Sequence, residues 1–277
     1  MKKLVFLCGM ILVSFSVSIL ILKTDLFSES ANSKLNNNTL PVIIVDAGHG
    51  GFDGGASTDD GVPEKGINLN IALYLKEYLN FFGFQVVMTR DSDTSTEDEG
   101  LSTIRSRKSS DLHNRMALME KTENAVFVSI HQNHFSQSKY SGAQVFYSKN
   151  FSSESSELAE SIQESIVYFT QPQNKRQIKP CGTSVYLIYN AVKPAVLVEC
   201  GFLSNKEEAE KLKTEDYQKQ VAFSIATGIL NYYEGQWKLW LQNKKQFIYV
   251  VVVVMNQQNG MVNVHLVVNG VLWMKKS

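Results

Sequence analysis

The chain has 277 residues, and its 27 Lys and Arg balance 27 Asp and Glu. That zero net charge points away from nucleic acid or an anionic surface as partner. Cysteine occurs only at Cys8, Cys181 and Cys200, which excludes a disulfide scaffold and leaves a Cys181–Cys200 bridge as the one pairing open to the folded part.

The first 23 residues form a separate unit. Lys2 and Lys3 precede the apolar run Leu4–Leu22, broken only by Gly9, Ser14, Ser16 and Ser18, and Lys23 closes it. As a helix this run is roughly 28 Å long, close to the ~30 Å hydrocarbon core. It is longer than the apolar part of a cleavable signal, and no Ala-x-Ala follows. The expectation is an uncleaved signal anchor rather than a cleaved signal peptide, with the chain after Lys23 outside the cytoplasm. Residues 24–40, with Ser28-Glu29-Ser30 and Asn36-Asn37-Asn38, read as a flexible stalk, and the folded domain is expected over 41–235.

That domain opens on Val42–Gly55, VIIVDAGHGGFDGG. Val42–Val45 read as a buried strand, and Asp46–Gly51 break it into a tight glycine turn that presents His49 at the strand end. Asp53 stands where a dinucleotide fingerprint needs its third glycine, and no Gly-Lys-Ser/Thr is present for a phosphate loop. A hydrogen-bonding histidine and a metal ligand both remain open for His49, and partners downstream decide between them.

Ile67, Ile71, Tyr74, Leu75, Tyr78, Leu79 and Phe82 recur at helical spacing up to a stop at Gly83. Glu64 precedes this helix, as a carboxylate favoured by the helix dipole or as a ligand held by the loop. Phe84–Met88 reads as a strand left by Thr89-Arg90-Asp91, and the polar residues 91–110 as a surface loop that can rim a cleft. Asp111 is expected to cap a helix carrying His113 and Arg115, with His113 exposed. Ala125–Ile130 is a third apolar strand and ends at His131, repeating the geometry of His49; His134 lies just beyond in a loop. A strand over Gly142–Tyr147, a helix over Ser153–Phe169 and a short strand over Ser184–Tyr189 follow. Ala195–Cys200 then delivers Glu199 at the end of a buried run, where a carboxylate is costly unless paired or coordinated. Ser204 and Glu207 fit a capping box, and Asp216 is placed to cap a last helix through Tyr233.

Two imidazoles and one carboxylate, His49, His131 and Glu64, make up a donor set known from catalytic zinc. A further carboxylate, which Glu199 supplies by position, would serve as proton acceptor. The successive stretches DAGHGGFDGG, EKGINLNIA, SIHQN and VLVECGFLSN resemble, in order, the motifs of zinc-dependent N-acetylmuramoyl-L-alanine amidases of the amidase-3 family. The resemblance spans about residues 41–234. The stretch from Arg105 through Tyr147 is similar to the subgroup acting on spore cortex, the germination-specific CwlD type.

The resemblance implies a single catalytic domain of α/β class, three-layered, with a twisted and mostly parallel sheet flanked by helices. It implies Zn2+ as cofactor on His49, Glu64 and His131, with Glu199 as the catalytic glutamate. The substrate it implies is peptidoglycan, glycan strands bearing peptide stems, cut between the muramic acid lactyl group and L-alanine ahead of conversion to the δ-lactam. The location it implies is the space between the two membranes of a developing spore; a helper protein stays open as a further partner. Ala47, where the family often has proline, His134, where a small residue is usual, and Cys200 depart from the pattern. A catalytically silent peptidoglycan-binding domain is the alternative, which the presence of all four groups disfavours; a zinc peptidase is disfavoured by the missing H-E-x-x-H. The tail 236–277, with five consecutive valines in Phe247–Met255, lies outside the resemblance and has strong β-propensity.

Overall fold

The computed structural model describes residues 40–233 and the backbone of two strands, 253–258 and 261–266. The expected anchor, and the expected stalk up to residue 39, lie outside the described residues. Among the described residues no helix is long and apolar enough to cross a membrane.

Six strands form one sheet in the order β2-β1-β3-β6-β4-β5, where β1 is Val42–Ala47, β2 Gln85–Met88, β3 Ala125–Asn133, β4 Gln144–Tyr147, β5 Lys179–Pro180 and β6 Ala195–Phe202. The pairs β1–β2, β1–β3 and β3–β6 run parallel, and β4 runs antiparallel to β6. The helices are α1 (Glu64–Phe81), α2 (Ile104–Lys121), α3 (Ser152–Phe169), α4 (Tyr186–Tyr189), α5 (Lys206–Leu212) and α6 (Glu215–Tyr232).

The two-residue period of a strand separates two cores. Ile43, Val45, Val126, Val128, Val196 and Val198 pack with apolar residues of α1, α3 and α6 on one face. Ile44, Phe127 and Leu197 pack with Met116 and Met119 of α2 and Leu187 and Ile188 of α4 on the other. The sheet therefore lies between two helical layers, in the three-layer α/β arrangement the sequence resemblance implies. The second face changes character along its strands: Ile44 is followed at the same face by Asp46, Phe127 by Ser129 and His131, and Leu197 by Glu199. Polar groups thus collect at the carboxyl ends of the parallel strands, where open α/β sheets place their ligands.

Several local expectations need correction. The second helix starts at Ile104 because the Thr103 side chain accepts from the Ser106 N–H, so Asp111 lies inside α2 rather than capping it. Ser184–Tyr189 is not a strand: Tyr189 N–H bonds Val185 O and Asn190 N–H bonds Tyr186 O, a helical turn that buries the adjacent Leu187 and Ile188. Asn205, not Ser204, caps α5 by accepting from Glu208 N–H, while the Ser204 hydroxyl accepts from Phe135 N–H. Thr214 occupies the N-cap position of α6, which leaves Asp216 in its first turn. Cys181 and Cys200 are both buried free thiols, so the bridge is not formed.

The strands Val253–Gln258 and Met261–Leu266 form an antiparallel pair outside the unit Thr39–Trp237.

Candidate metal centre

The turn after β1 forces His49 into left-handed backbone (φ 60°), an uncommon state for a residue with a side chain, followed by Gly50 and Gly51 at φ 137° and 53°. Gly48 has to be glycine for another reason: a Cβ there would collide with the His131 ring. The Nδ1 of His49 lies 2.9 Å from Asp53 Oδ2, and the other oxygen of Asp53 lies 3.0 Å from Lys108 Nζ. With Nδ1 so occupied, Nε2 is left facing Glu64 Oε2 at 3.3 Å.

Glu64 is the first residue of α1 and is buried. Its Oε1 accepts from Asn68 Nδ2 and from the Gln132 N–H, both at 3.0 Å, and lies 3.0 Å from His131 Nδ1. Its Oε2 accepts from the Ala56 N–H at 3.0 Å. The carboxylate is thereby aimed by one helix side chain and two main-chain donors.

One donor atom from each of His49, Glu64 and His131 falls within a 4.8 Å group, and the two imidazoles meet edge to face with centroids 4.9 Å apart. These three residues come from the β1 turn, the α1 start and β3. Two imidazole nitrogens and a carboxylate oxygen suit a borderline cation such as zinc better than calcium or magnesium, which prefer all-oxygen sets. His113 and His134 are exposed and stand outside this group.

The buried Glu64 carboxylate and the His49 imidazole shift one another's protonation. Burial opposes ionisation of Glu64, yet hydrogen bonds and charge from His131 and His49 hold its carboxyl well below the usual range. Burial likewise opposes protonation of His49, but Asp53 and Glu64 raise it to about 9.

Glu199 sits opposite His131 in the β3–β6 pairing and opposite Gln144 in the β4–β6 pairing. Its Oε2 is buried with no hydrogen-bond partner among the described residues. Burial pushes its carboxyl up to about 7. An orphaned carboxylate oxygen with a pKa near neutrality is the state a proton acceptor needs. Burial also pushes the adjacent Cys200 thiol far up, which makes it unreactive. Beside the His49 turn, Gly51 and Phe52 line an open cleft of about 400 Å³ with Thr94, Ser95 and residues 97–101, and the Arg107 guanidinium lies 3.9 Å above the Phe52 ring.

Beneath the site lies a buried polar group that sequence reading passes over. Arg115 Nη1 reaches Asp46 Oδ1 at 2.6 Å and its Nε reaches Asp111 Oδ2 at 2.9 Å. It also donates to the carbonyls of Ala47 and His49 at 2.9 and 2.8 Å. Asp46 accepts in addition from Thr89 and Ser129 hydroxyls. The one available signal is an acid ending an apolar strand next to His49, which requires a buried partner.

Comparison with known proteins was consistent with this geometry. The Amidase_3 model, N-acetylmuramoyl-L-alanine amidase, matches residues 43–231. The germination-specific N-acetylmuramoyl-L-alanine amidase of Bacillus subtilis is 38% identical over 192 residues, covering 69% of this chain and 79% of that protein. The CwlD amidase from Clostridioides difficile, solved in complex with the GerS lipoprotein, superimposes with a TM-score of 0.68 at 42% identity, covering 70% of this chain and 99% of that one. The catalytic domain of CwlV, an amidase from Bacillus (Paenibacillus) polymyxa, gives a TM-score of 0.58 at 32% identity, covering 70% and 98%. With the match running from β1 almost to the end of α6, the chain belongs to the N-acetylmuramoyl-L-alanine amidase family and is a peptidoglycan amide hydrolase.

Proposed function

We propose that His49, Glu64 and His131 hold a zinc ion and that Glu199 is the catalytic base and acid of this amidase. The observation that carries the reading is the 4.8 Å grouping of the three donors with the unpartnered Glu199 Oε2 on the neighbouring strand. When bound, zinc polarises the substrate carbonyl and lowers the pKa of water toward about 7.

The chain's own residues do the rest. Asp53 fixes the His49 ring by taking its Nδ1, and Asn68 with the Gln132 and Ala56 amides fixes the Glu64 carboxylate. Glu199 takes the proton of the attacking water on its free oxygen and returns it to the nitrogen of L-alanine as the amide breaks. The cleft beside Phe52 and Arg107 offers room for substrate next to the His49 turn.

The substrate in this reading is cortex peptidoglycan, and the product is muramic acid freed of its peptide for conversion to the δ-lactam. The germination-specific relative supports that assignment. The complex of the Clostridioides relative with a lipoprotein supports a membrane-associated helper as a partner here. Action lies outside the cytoplasm, with residues 1–23 as the membrane anchor. Digestion of purified cortex should release new amino-terminal alanine without new reducing sugar ends. New reducing ends, or new termini within the stem, would displace the amidase reading.

Residues 24–40 serve as the stalk, 41–235 as the catalytic domain, and 236–277 as an appendage that the catalytic domain does not need. The full chain should sediment with membranes, whereas a chain of residues 40–235 should be soluble, folded and able to bind one zinc. A metal-free or insoluble 40–235 chain would show that the appendage belongs to the domain.

A further inference from the structure

Arg90, the second residue after β2, is buried at 4% exposure, and among the described residues its hydrogen bonds all go to main-chain carbonyls. Nε lies 2.8 Å from Ala47 O and 2.6 Å from His49 O. Nη2 lies 3.0 Å from Gly48 O and 2.8 Å from Lys65 O, and Nη1 lies 3.0 Å from Ser92 O. Three of these acceptors form the His49 turn, and one belongs to the residue after Glu64.

Burying a guanidinium is costly, and five carbonyl partners on three separate segments are more than sheet packing requires. The rigid fork of Arg can serve several acceptors at once, whereas the Lys ammonium is a single point donor. The carbonyl of His49 has to be held because its backbone is left-handed, and its release would let the imidazole swing away. Arg115 supports the same carbonyl from α2 but does not reach the Glu64 segment.

We propose that Arg90 is a positioning residue that sets the spacing between His49 and Glu64, so that the two are placed for one metal ion before the ion arrives. This rests on the assignment of His49, Glu64 and His131 as zinc ligands. Preorganisation of that kind acts on metal affinity, because an unclamped turn has to be ordered during binding.

The test is zinc affinity, measured on the full chain by competition with a chromophoric chelator, for wild type, Arg90→Lys, Arg90→Gln and Gln218→Ala. The last is a structural control: buried Gln218 on α6 donates to Leu212 O, so its loss destabilises without touching the turn. Zinc Kd of the folded protein should weaken about 10- to 100-fold in both Arg90 variants, the usual effect of removing support behind a ligand, and stay unchanged in Gln218→Ala. The cobalt-substituted wild type and Arg90→Lys should differ in absorption spectrum, because the donors no longer sit at the same spacing.

Arg90 variants that are less thermostable yet bind zinc as tightly as wild type would overturn the proposal and leave Arg90 a plain core residue. Failure of both Arg90 variants to fold would also overturn it, by making Arg90 a determinant of the fold. A wild-type chain that binds no zinc would instead bring down the ligand assignment itself.

Discussion

Glu199→Gln should bind zinc at wild-type stoichiometry while losing about 100- to 10,000-fold in kcat, the scale of a positioned acid–base group. The amide keeps the size of the carboxylate at a position flanked by His131 and Gln144, but it cannot take up a proton. Ala at His49, Glu64 or His131 should lower metal content and activity together. His134→Ala should change neither greatly, since His134 lies outside the donor group. Metal analysis beside turnover for these five variants decides the matter. A zinc-depleted Glu199→Gln together with a zinc-replete Glu64→Ala would exchange the roles of ligand and base.

Arg115→Ala should cost about 3–5 kcal/mol in urea unfolding at pH 7, the usual effect of removing one partner from a buried pair. Asp46 is 1% exposed, and the variant would leave its carboxylate with the Thr89 and Ser129 hydroxyls and the more distant charges of His131 and Arg90. The sign of the pH dependence should reverse as well. In the wild type, burial raises the Asp46 pKa but Arg115, the two hydroxyls and His131 outweigh it, so the carboxyl lies below its ordinary 3.8. That contribution is present above about 3.8 and fades as pH falls toward the lower folded value. Without Arg115 the burial effect dominates and Asp46 moves above its unfolded value, so mild acid should recover part of the lost stability. Unfolding curves for both proteins at pH 7 and pH 4.5 make the comparison, and parallel slopes would remove Asp46–Arg115 from the account.

The centre of the sheet was legible because its strands are short β-branched runs whose alternation feeds two cores, and the candidate site because each of its residues ends such a run or opens a helix. What failed was local. Thr103 and Asn205 cap their helices where the sequence reading had placed Asp111 and Ser204, since capping is decided by which side chain meets a free N–H. The run at 184–189 coils because Leu187 and Ile188 are both needed against α2 and Phe127, which an extended strand would place on opposite faces. Arg90 and Arg115 were unreadable as site residues: a buried arginine and a solvated one have the same letter, and both bond main-chain carbonyls of the His49 turn, which the sequence does not single out.

The alignment of His131 on β3 with Glu199 on β6 has an evolutionary consequence. Neighbouring residues in adjacent strands share a face, and a slip of one position would turn one of them to the far side. The distance between the proposed metal donor His131 and the proposed proton acceptor Glu199 is therefore written into main-chain pairing. Changes at the exposed loop tips that leave those pairings intact leave that distance in place. Such a scaffold keeps the relative placement of the two side chains independent of change in the loops around them.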